Sequence, residues 1–198
     1  HRDLHSFPTR RSSDLPHYEI VGTLFVLAKL YRRKKDYKTG ETYQRKSLAM
    51  CQKIYKDPHP CATANLNDLS YFLRKQRKYK EAIEALEKSL NLSKQLHGEK
   101  HREIAVAHFN IGRTYQQQKQ YDRARTHYTK ALAMYQEIFG EEYSLYAFTQ
   151  EGICQTYIEE KKNLKQAIEL LKKTIAMKKR KEEKEIGRAH VWTPVTDQ

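Results

Sequence analysis

The sequence predicts an all-α solenoid of about four helix–turn–helix repeats, or about eight helices. The first observation is an internal period of 42 residues, seen in large side chains at Tyr31, Leu73, Tyr115 and Tyr157. The second is that small residues keep the same step three positions earlier, at Ala28, Ser70, Gly112 and Cys154. The third is composition, because 7 Gly and 5 Pro among 198 residues are few for a turn-rich β fold.

Further positions repeat with the same step and set the expected boundaries. They include a tyrosine register at Tyr37, Tyr79 and Tyr121, and a small-residue register at Gly40, Ala82, Ala124 and Ala167. In the fourth copy, Leu164 takes the tyrosine register one residue late, which indicates a one-residue insertion. We expect the repeats at residues 16–57, 58–99, 100–141 and 142–185.

Each repeat predicts a first helix, a short polar turn and a second helix. In the third copy, Ile104, Ile111 and Tyr115 share one helical face, and Gly112 permits close approach of the paired helix. The polar run QQQKQ at 116–120 predicts the turn. The second helix then carries apolar residues at helical spacing, at Ala124, Tyr128, Ala131, Leu132, Tyr135, Ile138 and Phe139.

The ends of the second helices are marked by helix-terminating residues. Gly140 and Gly98 are suited to a C-cap because glycine tolerates positive φ. At the first junction, Pro58 and Pro60 break the helix instead. No single copy could bury its apolar face alone, so neighbouring repeats are expected to stack.

Both ends of the chain are expected to lie outside the fold. Residues 1–15 and 186–198 resemble translated sequencing-library adapter sequence, and the only Trp, Trp192, falls on a TGA codon of that adapter. We therefore expect both segments to be adapter-derived and unstructured. The body between them is expected to be a fragment of a larger protein.

The repeat resembles the tetratricopeptide repeat, in which a small residue precedes an aromatic residue by three positions. That repeat has ~34 residues in general, and the longer unit here resembles the kinesin light chain type. Its exit loops are at 57–60, 98–101 and 140–143, and Leu66-Asn67-Asp68-Leu69 is close to that family's Leu-Asn-Asn-Leu. Residues 108–111 match that motif less closely. The HEAT/armadillo class is an alternative with a similar period. The pattern of a small residue, an aromatic residue and Ala at fixed positions argues against it.

The resemblance implies a right-handed solenoid whose first helices line an inner face that binds short acidic peptides containing aromatic residues. A stripe beside the buried face of the first helices is the candidate peptide-binding groove, formed by Phe25, Lys29, Arg32, Arg33, Asn67, Tyr71, Arg74, Lys75, Phe109, Arg113, Gln116 and Gln117. Its cations would pair with carboxylates, its aromatic residues would be apolar anchors, and Asn67 would hold peptide backbone. Arg32 and Arg74 are expected to lie outside the buried stripe.

The net charge of +14 leaves two alternatives to this groove open. One is generic charge on solvated faces, and the other is binding of single-stranded RNA or another polyanion. Glu151 and Glu159 break the basic trend in the fourth copy, while Lys29 and Asp68 stand where a chaperone-tail clamp would need Asn.

The sequence shows no catalytic constellation, so we expect a binding protein rather than an enzyme. Cys51, Cys61 and Cys154 lack CxxC spacing, which argues against a metal or redox site, and no cofactor is implied. His59 and His101 are expected to pack in turns. No segment is apolar enough to span a membrane. A reducing, cytoplasmic setting is expected, whereas the partner's identity and the oligomeric state stay undetermined.

Overall fold

The computed structural model describes residues 15–55, 58–141 and 143–191, and every regular element among them is an α-helix. In chain order these are α1 (Leu15–Arg33), α2 (Tyr37–Ile54), α3 (Pro60–Lys75), α4 (Tyr79–His97), α5 (Arg102–Gln117), α6 (Tyr121–Phe139), α7 (Ser144–Glu160) and α8 (Leu164–Val191). The predicted all-α architecture of helix–turn–helix repeats is confirmed.

The helices form two compact units, His1–Gly98 and Glu99–Gln198. In the first unit, α1 packs against α2, α2 against α3, and α3 against α4. In the second unit, α5 packs against α6, α6 against α7, and α7 against α8, while α5 also approaches α7. Each unit is therefore built from two consecutive repeats.

The predicted unstructured ends fall mostly on residues that are not described, namely 1–14 and 192–198. Helix α8 includes 186–191, so the expectation that 186–198 is unstructured does not hold for those residues. The physical reason is cooperativity, because each residue added to an existing helix brings a hydrogen bond without a new nucleation cost.

The turn inside each repeat is built in the same way. A non-glycine residue adopts a left-handed conformation in each of them, namely Lys35, Arg77, Lys119 and Lys161. The following N–H then reaches back to a carbonyl of the first helix, and the acceptors are Tyr31, Leu73, Tyr115 and Tyr157. This 6→1 bond is typical of a Schellman motif, so the 42-residue register also marks the acceptors that end the first helices.

The predicted helix ends between repeats are confirmed. Gly98 and Gly140 are the C-caps of α4 and α6, with φ of 75° and 76°. His59 and His101 are the N-caps of α3 and α5, where each ring accepts a backbone N–H from two residues later. The histidines expected to pack in turns therefore act as helix caps.

The small residues in the register that begins at Ala28 lie in the core, as predicted. Ala28, Ser70, Gly112 and Cys154 are all buried. A Cβ on Gly112 would lie 2.8 Å from Cδ1 of Tyr128, which is closer than real side chains pack. Gly40 is more restricted still, because a Cβ there would overlap the ring of buried Phe72. Glycine at these positions is required by close packing of an aromatic ring.

A buried carboxylate joins α2 to the turn that follows α3. Glu41 is 7% exposed and accepts hydrogen bonds from Arg45 at 2.7 Å, Gln76 at 2.7 Å and Lys78 at 2.8 Å. Burial alone would raise the pKa of Glu41, but the hydrogen bonds from Lys78, Arg45 and Gln76 outweigh it and the pKa is lowered. Its ionised form therefore stabilises the first unit.

A related network lies at the corresponding positions two repeats later. Arg125 donates to Glu160 at 2.7 Å and also pairs with Asp122, while Lys162 donates to Glu160 at 3.0 Å. Arg125 also lies over the ring of Tyr157, 4.6 Å from its centroid. Arg125 thus stands at the position of Glu41 and Glu160 at that of Gln76, while Lys162 keeps the charge of Lys78.

Substitution of Gly40 tests the packing constraint. Gly40→Ala is expected to lower the free energy of unfolding by about 1–3 kcal/mol, because the new methyl group must displace Phe72 in a filled core. Urea denaturation measures the change. Gly22→Ala is the matched control, since nothing lies within 4 Å of that Cβ and alanine favours the helix by about 0.5–1 kcal/mol. Equal effects at both glycines would contradict the packing argument.

Substitution of Glu41 tests the buried carboxylate. Since the folded-state pKa is lowered, the stabilisation is present above the unfolded pKa and is lost as pH falls through the folded value. Glu41→Gln is expected to cost about 1.5–3 kcal/mol at pH 7. The difference from the parent should shrink as pH falls below about 4, as urea denaturation across pH would measure. A cost that is independent of pH would contradict an ionised Glu41.

Candidate peptide-binding surfaces

In the first unit, the predicted basic and aromatic residues meet around Tyr71 of α3. The Arg32, Arg74 and Lys75 cations lie 5.3, 5.5 and 5.8 Å from the centroid of its ring. Tyr71 itself is half-buried. Cations at these distances are attracted to the ring face, so folding brings together side chains from two first helices into one basic–aromatic cluster.

The second predicted pair in this unit lies one turn earlier on α1. Lys29 Nζ is 4.3 Å from the centroid of the Phe25 ring, and Lys29 is exposed. Half-buried Asp68 interacts electrostatically with both Arg32 and Lys29. Burial raises the pKa of the Asp68 carboxyl, and the two cations oppose that shift. One acid therefore lies beside the basic residues of the predicted stripe.

The expectation that Arg74 lies outside the buried face is wrong, because Arg74 is 3% exposed. Arg32 occupies the corresponding position of α1 and is half-buried. The difference follows from the neighbours, since α3 packs against both α2 and α4, whereas the described contacts of α1 are with α2. The same helical-wheel position is therefore more buried in α3, which packs against two helices, than in α1.

Asn67 also has a different role from the predicted one. Its Nδ2 donates to Ser89 Oγ of α4 at 3.1 Å, and Ser89 in turn donates to the Thr63 carbonyl at 3.1 Å. Asn67 Oδ1 is buried without a hydrogen-bond partner. The side chain joins α3 to α4, so it does not present its amide donor to a peptide.

In the second unit, the predicted residues of α5 line a cavity of about 450 Å³. Phe109, Arg113 and Gln116 form its α5 side. The α7 side includes Phe148 and Gly152, and Tyr128 of α6 also contributes. Phe148 is 59% exposed and was not predicted as a site residue. It lies on α7 one turn before Glu151, at a position outside the predicted stripe.

The ring of Tyr128 contacts both helices that border this cavity. A Cβ on Gly112 of α5 would lie 2.8 Å from the ring, and one on Gly152 of α7 would lie 3.1 Å from it. The hydroxyl donates to Gln116 Oε1 at 2.7 Å, and the ring centroid is 5.7 Å from that of Phe109. Tyr128 is 1% exposed, so it is a rigid wall rather than a mobile side chain.

The polar groups of this cavity carry both signs of charge. Exposed Arg113 lies over the Phe109 ring, with its guanidinium carbon 5.7 Å from the centroid. Glu151 forms an ion pair with Lys178. Gln116 and Gln155 donate to Glu159 at 3.0 and 3.2 Å. The remaining predicted residues, Arg33 and Gln117, are exposed near the ends of α1 and α5.

The cysteines correct the expectation drawn from their spacing. Cys51 and Cys61 form a disulfide, with their Cα atoms 6.2 Å apart. Their separation of 10 residues spans the junction between α2 and α3, so a short-motif rule cannot detect the pair. Cys154 is a free buried thiol in the small-residue register, as expected, and burial raises its pKa.

No helix in the described part of the chain has the length and apolar character needed to cross a membrane.

Comparison with protein families finds matches along most of the chain. A tetratricopeptide repeat model matches residues 61–137 and 113–180, and a second tetratricopeptide repeat model matches residues 24–60. A search of curated proteins finds no match. The period, the small-residue register and the helix pairs thus agree with one repeat family, and the HEAT/armadillo alternative is not needed.

Solved structures with similar folds include BtubC (BKLC) from P. vanneervenii, with a TM-score of 0.72 and 20% identity over 84% of this chain. This chain spans 65% of the length of that protein. A kinesin light chain-like protein of Podosopora anserina with nearly identical TPR-like repeats has a TM-score of 0.69 and 18% identity. That match covers 81% of this chain and 75% of the other protein. A Rap protein complexed with competence and sporulation factor has a TM-score of 0.72 and 19% identity, and the match covers 85% of this chain and 45% of that protein.

Neutral substitutions at Arg32 and Arg74 test the difference in burial. Arg74→Gln is expected to lower the free energy of unfolding by about 1–3 kcal/mol, because buried groups that it contacts lose a charged partner. Arg32→Gln, its counterpart one repeat earlier, should change it by less than about 0.5 kcal/mol. Urea denaturation compares the two. Equal costs would show that burial does not distinguish these arginines.

Proposed function

The chain belongs to the tetratricopeptide repeat family, and from this premise we propose that it is a protein-interaction scaffold that binds short, acidic peptide segments. The observation that carries the proposal is the cavity between α5 and α7, where aromatic side chains and an exposed arginine meet. The proposed action is binding without chemistry, as expected for a scaffold fold. The fragment status of the chain is part of the same proposal.

The cavity suits one apolar side chain of a peptide. Its volume of about 450 Å³ falls within the usual range of ligand sites, and Phe109, Phe148 and Tyr128 supply apolar walls. Gly152 has no Cβ, so its backbone packs directly against the Tyr128 ring on the α7 side. We propose that an aromatic or branched apolar residue occupies this space.

The proposed preference for acidic peptides depends on the cations next to this cavity and in the first unit. Arg113 is exposed at the cavity, and a guanidinium can pair with a carboxylate through two hydrogen bonds. In the first unit, Lys29, Arg32 and Lys75 form no ion pair among the described residues, although Asp68 lies near the first two. A peptide carboxylate would meet a cation that is already oriented by an aromatic ring.

An RNA-binding function is the weaker alternative. Aromatic residues beside cations also suit single-stranded nucleic acid. However, Tyr71 is surrounded by cations on its faces, and Tyr128 is buried, so neither presents a bare ring on which a base could stack.

We propose an intracellular setting, in which cytosolic reductants would keep the Cys51 and Cys61 pair as thiols.

A peptide-array experiment tests the proposal. The full-length chain is screened against acidic peptides with and without an aromatic residue, and against single-stranded RNA, at two salt concentrations. Selective binding of the aromatic acidic peptides is expected. Equal binding to every polyanion that collapses with salt would show generic charge, and selective binding of RNA would overturn the peptide proposal.

Substitutions at the cavity test where the peptide binds. Arg113→Gln is expected to weaken the binding of an acidic aromatic peptide by about 2–5-fold, because one exposed charged contact is lost. Phe148→Ala should weaken it at least as much, because an apolar wall is removed. Fluorescence anisotropy with a labelled peptide measures both.

The matched control is Arg123→Gln. Arg123 lies over the Tyr115 ring at the same 5.7 Å distance that separates Arg113 from Phe109, but it does not line the cavity. Its substitution should leave the affinity within about twofold, which is within the usual scatter of a neutral surface change. If Arg123→Gln and Arg113→Gln weaken binding equally, the cavity is not the peptide site.

A further inference from the structure

Three side chains with metal-binding atoms meet at the junction between the first two helix pairs. Cys51 belongs to α2, His59 is the N-cap of α3, and Cys61 is in the first turn of α3. Their two sulfur atoms and one ring nitrogen all lie within 4.8 Å of one another. Cys51 is fully buried, whereas His59 and Cys61 are half-buried, so the cluster is reachable from one side.

The imidazole of His59 is held beside the sulfur atoms by two contacts. Its Nδ1 accepts the backbone N–H of Cys61 at 3.1 Å. Its ring stacks on that of Tyr55, with centroids 3.9 Å apart and planes inclined by 1°. A ligand that is oriented before the metal arrives loses less conformational entropy on binding. The ring is therefore held beside the sulfur atoms, and a metal bound by either ring nitrogen would replace the hydrogen bond that Nδ1 accepts from Cys61, since a neutral imidazole has one lone pair.

The surroundings of Cys61 suit a sulfur ligand of a metal ion. The sulfur is in the first turn of α3, where the positive end of the helix dipole stabilises negative charge. Asn65 Nδ2 lies 3.5 Å from Cys61 Sγ and 2.9 Å from the Cys61 carbonyl. Gln44 in turn donates to Asn65 Oδ1 at 2.9 Å. Hydrogen bonds of this kind orient metal ligands and tune them.

The other repeats show that the cap alone does not require the cysteines. One repeat later, His101 caps α5 in the same way, by accepting the Glu103 N–H at 3.3 Å. The residues that correspond to the two cysteines there are Ser93 and Glu103. A capping histidine with two sulfur neighbours is thus particular to the first junction.

We propose that this junction, once its disulfide is reduced, is a binding site for a thiophilic divalent metal ion, with Zn²⁺ as the preferred ion. Reduction by a dithiol adds two electrons and two protons to the disulfide and yields two thiols. Zn²⁺ then displaces the two thiol protons and binds two thiolates and one imidazole. Such a Cys₂His set leaves a fourth tetrahedral position for water.

The metal-bound and disulfide forms exclude each other, because a sulfur in a disulfide is not a thiolate. Both forms connect the end of α2 to the start of α3. The metal-bound form additionally holds His59, which then gives up its hydrogen bond to the Cys61 N–H. Hard cations such as Mg²⁺ should not compete, since they prefer oxygen ligands.

Titration of the full-length reduced chain with Co²⁺ tests the proposal. One equivalent is expected to produce sulfur-to-cobalt charge-transfer absorption together with the visible bands of a tetrahedral site. Added Zn²⁺ should displace the cobalt, and Mg²⁺ should not. The oxidised chain should show no such absorption, because its sulfur atoms are bonded to each other.

Substitutions identify the ligands. Cys61→Ser and His59→Gln should each weaken Zn²⁺ binding by at least 10-fold in competition with a chromophoric chelator, while Cys154→Ser should leave it unchanged. Circular dichroism checks that each variant folds, and Cys61→Ser is used because Cys61 is less buried than Cys51. Absence of thiolate–cobalt absorption in the reduced parent, or an unchanged Zn²⁺ affinity in Cys61→Ser, would overturn the proposal.

Discussion

The closest helix contacts depend on the absence of a side chain where the rings of Phe72 and Tyr128 enter them. Phe72 can lie against α2 only because Gly40 has no Cβ, and Tyr128 can contact both α5 and α7 only because it faces Gly112 and Gly152. Cores are packed too densely for a methyl group to be added without displacement. The close contact also places Tyr128 at the wall of the candidate cavity, so the packing of the second unit and its proposed binding surface have a common origin.

The same constraint explains why the repeats differ without losing their fold. At the positions of Gly40 and Phe72, the third and fourth repeats carry Ala124 and Thr156, both fully buried. A larger residue on one helix is thus accompanied by a smaller one on its neighbour, which keeps the local volume similar. Charge varies in a comparable way. Glu41 is paired with Lys78, whereas its equivalent Arg125 is paired with Glu160, which stands at the position of Gln76, so an ion pair is retained although its residues differ.

The residues proposed to bind a partner are partly committed to contacts within the fold. Arg32 and Lys75 lie over Tyr71, and Asn67 is bonded to Ser89. The first two remain available to a carboxylate because a cation over a ring keeps donors directed outward. Asn67 does not, because its amide donor is satisfied inside the helix pair. The capping histidine His59 shows the opposite case, in which a structural contact prepares a side chain for a second role.

The repeat class, the helix pairs and the helix ends can be predicted from the sequence, because the 42-residue register, the capping glycines and the helical spacing are local or periodic signals. The predicted stripe also contains the cations that lie over Tyr71 and Phe109. The burial of Arg74 and the pairing of Glu41 across helices become evident only in the folded structure. Folding alone brings Cys51 to Cys61, and Phe148 to Tyr128. The physical reason is that burial and pairing depend on which helix covers a given face, and that neighbour is not encoded in the spacing of a single helix.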